Sequence, residues 1–62
     1  MKKWYLATYK DAEGTYHTCL VLSDSEKKVE KHFKGYDMAS VRIAAEDELY
    51  YYRSKGCAIV EL

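Results

Sequence analysis

A small α+β domain is what this sequence predicts: a single-layer sheet of about four strands with two short helices on one face, in the order β-β-α-β-α-β. Three observations carry that expectation. Four short segments alternate in polarity with the period of two that a strand imposes. Two segments between them have helix-capping chemistry and charges ordered along a helix axis. The 62 residues hold no linker, repeat or low-complexity tract, so 1–62 reads as one compact domain.

Residues 3–9 (KWYLATY) form the first expected strand, β1, with Trp4, Leu6 and Thr8 on one face and Tyr5, Ala7 and Tyr9 on the other. Asp11 to Gly14 then reads as a type I turn closed by a left-handed glycine, the connection of a hairpin. Residues 15–22 (TYHTCLVL) return as β2, whose second half, CLVL, is apolar on both faces and marks an interior strand. Ser23-Asp24-Ser25-Glu26 matches the capping box, in which a serine hydroxyl and a glutamate carboxylate satisfy each other's backbone amides. A helix, α1, is expected over 24–34, ending at Gly35, with Val29 and Phe33 as its buried stripe. Residues 37–43 (DMASVRI) resume alternation as β3, with Ala39, Val41 and Ile43 opposite Met38, Ser40 and Arg42.

Residues 44–56 carry two conflicting signals. Three successive tyrosines favour a strand, while Ala-Ala-Glu-Asp-Glu-Leu favours a helix. Charge placement favours the helix, α2: Glu46, Asp47 and Glu48 fill a first turn, Arg53 and Lys55 a last turn, and Gly56 the position just beyond. Its apolar face is Leu49 with Tyr52. The alternative is ββαβββ, with 44–56 as a hairpin. Residues 57–62 (CAIVEL) close the chain as β4.

Two short helices are too small to cover both faces of four strands, so both are expected on one face, leaving the other to water or a partner. If β1 sends Trp4 and Leu6 inward, Tyr5 and Tyr9 stand on the open face.

Composition narrows the function classes. Ten Lys plus Arg balance ten Asp plus Glu, and zero net charge provides no long-range field toward nucleic acid or anionic lipid. Leu, Ile, Val and Phe number only 12 of 62, so the seven tyrosines and one tryptophan must supply the missing apolar area. A domain of this size buries only about 60% of its unfolded surface and offers little room for a deep substrate cavity, so a non-enzymatic chain is expected. Trp4 to Thr8 is too short for a signal-peptide core, and no run approaches the roughly 20 apolar residues of a membrane span. With no secretion signal, Cys19 and Cys57 are expected as reduced thiols in a cytoplasmic protein.

The sharper sites weigh little in the sequence. His17, Cys19, His32 and Cys57 are zinc-ligand types, yet they lack the two close pairs of a structural zinc site, and no metal or cofactor is expected. A Cys-His nucleophile would need Asp11 or Asp47 as orienting group, and nothing in the spacing unites them. Glu46, Asp47 and Glu48 are explained by the helix start alone. Lys27, Lys31 and Lys34 share one face of α1. With Tyr5 and Tyr9 on a sheet they would resemble, in general outline, a platform for single-stranded nucleic acid. Glu30 interrupts that face and no RNA-binding signature accompanies it. Residues 1–36 carry seven basic and five acidic side chains and residues 37–62 three and five, a mild polarity suited to docking or self-association.

Tyr50, Tyr51 and Tyr52 span about 200° of a helix, so at least one must be exposed, and exposed tyrosine is enriched at protein interfaces. The expected function is therefore a small protein-interaction module, binding a protein partner or a second copy of itself through an aromatic patch. Tyr5, Tyr9 and Tyr51 are its expected contacts, with Lys27, Lys31 and Lys34 at the rim. Weak single-stranded nucleic-acid binding is the alternative, and no membrane is involved. Size alone suggests an accessory or inhibitory protein of a bacterium or phage.

Overall fold

The computed structural model describes every residue from Met1 to Leu62. The elements follow the order β1 (Lys3–Lys10), β2 (Tyr16–Ser23), α1 (Glu26–His32), β3 (Asp37–Ile43), α2 (Glu46–Ser54) and β4 (Ala58–Glu61). Residues 46–54 are helical, and the hairpin alternative for that segment is not the one adopted. The strands make a single mixed sheet in the order β3-β1-β2-β4, with β1 antiparallel to β2 and β3, and β4 parallel to β2.

The β1–β2 hairpin is fixed by its turn. The Gly14 amide donates to the Asp11 carbonyl and the Asp11 amide to the Thr15 carbonyl, both at 3.0 Å. Gly14 has φ of 87°, as the closing position of such a turn requires. The Asp11 carboxylate accepts from the amides of Glu13 and Thr15, at 2.9 and 3.0 Å, which holds the loop from inside.

Helix α1 starts two residues later than expected. Ser23 is still paired with Lys3 in the sheet, so the chain cannot turn into a helix there. It is fully buried, and its hydroxyl donates to the Ser25 carbonyl at 3.0 Å. Ser25 is the cap instead, in extended conformation, accepting from the Lys28 amide at 3.2 Å. The helix also ends early, at His32. Its exit runs through a turn in which Lys34 donates to Lys31 and Tyr36 to Phe33, with Gly35 at φ of 102°. For α2, Ala45 has no side-chain acceptor at the cap. Glu48 reaches back to the Ala45 amide at 3.1 Å and satisfies it from inside the first turn.

The two helices lie on opposite faces of the sheet, and the expectation that they share a face is corrected. Val29 and Phe33 of α1 pack with Tyr5, Ala7, Cys19 and Val21. On the other face, Arg53 of α2 lies 5.0 Å from the Trp4 ring centre, and Glu48 pairs with Arg42, which stands beside Leu6. The buried Leu6 and Leu20 lie there, beneath α2. Handedness supplies the reason. β2, β3 and β4 run parallel, and the crossover through α1 moves to one edge of the sheet while that through α2 returns to the other. Two right-handed crossovers in opposite directions must put their helices on opposite faces. The extents of 30 × 25 × 15 Å agree: four strands span about 15 Å and eight residues about 27 Å, leaving 25 Å for helix, sheet and helix.

The orientation of β1 is corrected with it. Tyr5, Ala7 and Tyr9 face α1, while Trp4 and Leu6 face α2, so no open tyrosine face remains on the sheet. A bulge also changes β3. Thr8 pairs with Ser40 and Tyr9 with Met38, so Ala39 is skipped, and Met38 turns to the same face as Val41.

Candidate functional site

The residues expected to form one interface are divided between core and both outer surfaces. Tyr5 is 6% exposed and belongs to the core, which removes it as a contact. Tyr9 is half-buried, its ring 4.8 Å from Phe33 and 5.0 Å from Tyr36, between centres. Lys27, Lys31 and Lys34 are exposed on or just after α1, and none of them forms an ion pair. Tyr51 is exposed on α2, across the sheet from those lysines.

Two aromatic surfaces result. The first lies at the turn end of the α1 face, where Tyr9 bridges Phe33, Tyr36 and His17, the last at 5.4 Å between ring centres. His32 meets Phe33 edge-on at 5.0 Å. The His17 Nε2 lies 2.7 Å from the Asp11 carboxylate, which ties the second strand of the hairpin to its turn. Hydrogen bonding to His17, then to the Thr15 amide, holds the Asp11 carboxyl below its usual range. Burial, with lesser contributions from Cys19, Tyr36 and Asp11, pushes the Tyr9 hydroxyl up, so the phenol stays neutral. Most of this cluster is therefore committed to holding the turn and α1 in place.

The second surface is the outside of α2. Leu49 and Tyr52 turn toward the sheet and are half-buried, as their spacing predicts, which leaves Tyr50 and Tyr51 outward. Tyr50 is 78% and Tyr51 50% exposed. The rings of Tyr51 and Tyr52 stand perpendicular, 5.1 Å apart between centres. With Asp47, Glu48, Tyr50 and Ser54 they line an open groove of about 520 Å³. Lys55 places its Nζ 5.0 Å from the centre of the Tyr51 ring. The charge of Glu48 is already compensated: Arg42 donates to it from its two terminal guanidinium nitrogens, one at 2.6 Å, and this pairing lowers its carboxyl to about 2. Asp47 has no cationic partner, its Oδ1 accepting only from the Glu48 amide at 3.0 Å. Tyr50 and Asp47 were not among the expected contacts. Once Leu49 and Tyr52 are assigned inward, positions 47, 50, 51 and 54 fall together on the outer face by helical spacing.

The remaining candidates do not converge. No group of three or more His, Cys, Asp or Glu side chains is placed to hold a metal ion. Cys19 and Cys57 are free thiols. Cys19 is buried, and burial pushes its thiol up to about 11, the opposite of what activates a nucleophile. No helix is long and apolar enough to cross a membrane. No protein-family model, curated protein or solved structure matches the chain.

Proposed function

We propose that this chain is a non-enzymatic protein-interaction module that binds its partner through the outer face of α2. The observation that carries the reading is the exposure of Tyr50 and Tyr51 side by side along one groove, on a helix that buries none of its residues fully. Tyrosine gives rigid contact area with a polar tip at low entropic cost, which is why it is favoured at binding surfaces. The partner is a protein or a second copy of the chain, and the lysines of α1, on the opposite face, are not its rim. Two free thiols suit a cytoplasmic setting.

The nucleic-acid reading has less support. A base-stacking platform needs open ring faces on the sheet, whereas Tyr5 is buried and Tyr9 is stacked on Phe33 with Tyr36 tilted against it.

Site-specific photo-crosslinking in the native host tests the proposal. With a benzoylphenylalanine at position 50 or 51, the expected result is a discrete adduct heavier than the chain, either with another protein or as a covalent dimer. The same probe at Glu13, exposed in the hairpin turn, should give none. Adducts absent at 50 and 51, or equal at 13, would overturn the reading.

A further inference from the structure

Resting on the reading of α2 as the contact surface, we infer that its groove is a receptor for an alkylammonium group, the side-chain terminus of a lysine on the protein partner. The chemistry of the lining points to a cation. Three tyrosine rings line it, Tyr51 and Tyr52 set edge to face at 90° and Tyr50 beside them. Ring faces attract a cation within about 6 Å of their centres, and aromatic side chains are how alkylammonium groups are commonly recognised. The anion is present. Of the two carboxylates lining the groove, Glu48 is consumed by Arg42, whereas Asp47 is without a counter-ion.

The chain itself supplies a second, independent observation. Lys55 holds its own ammonium 5.0 Å from the Tyr51 ring centre, so the ring already serves as a cation acceptor within the molecule. It does so without an ion pair to Lys55 that would account for the placement. Lys55 is not part of the groove lining, so it shows the ring's attraction for a cation without filling the groove. Neutral apolar side chains would gain only the ring area and would leave Asp47 facing them, so the groove discriminates by charge. A lysine bears a long apolar stem as well as its charge, and the stem covers tyrosine surface while the ammonium reaches Asp47.

The test is a titration of the isotope-labelled full chain, followed by amide chemical shifts, with three blocked tripeptides Gly-X-Gly in which X is lysine, trimethyllysine or norleucine. The lysine and trimethyllysine peptides should shift the amides of residues 47–55 in a saturable manner, at millimolar concentration, and norleucine should not. Tyr51→Ala should abolish the response and Asp47→Asn should weaken it several-fold. The spectrum of each variant reports at once whether it is folded. Equal shifts with norleucine, shifts spread evenly over the other acidic residues, or an undiminished response in Asp47→Asn would overturn the inference. A small free cation, tetramethylammonium, separates the sources: binding it as tightly as the peptides would assign the site to free ammonium ions and overturn the assignment to a partner's lysine. Should the peptides fail while position 51 still forms adducts, α2 remains a contact surface and only the ammonium chemistry falls.

Discussion

Glu48 shows how much one side chain can determine at the surface. It caps the first turn of α2 from within, and it joins that helix to β3 through Arg42. Because the pairing makes the carboxyl more acidic folded than unfolded, it favours the folded chain wherever the group is ionised in both states, above about pH 5. The contribution is lost as pH falls from the ordinary carboxylate value toward about 2. Asp11 adds to the same trend, lowered first by His17. The urea midpoint should therefore fall between pH 7 and pH 3, and it should fall less in Glu48→Gln, which lacks the titrating group. At this scale the sequence was least informative about direction. Trp4, Leu6 and Thr8 are as acceptable inward as Tyr5, Ala7 and Tyr9, so alternation identified the two faces of β1 without saying which would meet α1. Both meet a helix, and Tyr5 is buried in consequence.

Among the elements, the strands were legible because their period is two and their turns carry glycine or capping residues, and β3 spans the expected residues 37–43. Helix α2 was legible from its charges. The start of α1 was not, since a capping box read from four residues cannot show that Ser23 is still bonded into a strand. The bulge at Ala39 was equally silent in the sequence, having neither glycine nor a charged residue to mark it. Two substitutions examine α1 at its ends. Ser25→Ala removes the acceptor of the Lys28 amide and should cost about 1 kcal/mol. Gly35→Ala meets open space at its Cβ, so its cost, also about 1 kcal/mol, comes from the positive φ alone. Chemical denaturation measures both, and an unchanged midpoint in either would mean that the corresponding end of α1 is set by other contacts.

For the whole molecule, class and order followed from local patterns, whereas the placement of the helices followed from the handedness of two crossovers, which no local pattern contains. Only 9 of the 62 residues are buried, and they lie in β1, β2 and α1 together with the exit of α1. Protection should be graded accordingly. Amide hydrogen exchange should be slowest at Leu6, Ala7, Leu20 and Val21, where each strand is paired on both sides, and the helical amides of Tyr50 and Tyr51 should exchange much faster. Uniform protection across α2 and β2 would contradict this grading. The position of β4 has a consequence for how the chain stays apart from its own copies. The edge of β2 that β4 covers, Cys19 to Leu22, belongs to the most apolar strand, and its cover comes from residues 58–61, with Leu62 bonded to Leu22 beyond them. Those residues alone hold it, so a transient loss of their pairing bares an apolar strand edge while the hairpin, α1 and β3 remain in place. A second chain can then add its own strand along the bared edge, so any condition that frees β4 makes the molecule prone to edge-to-edge association.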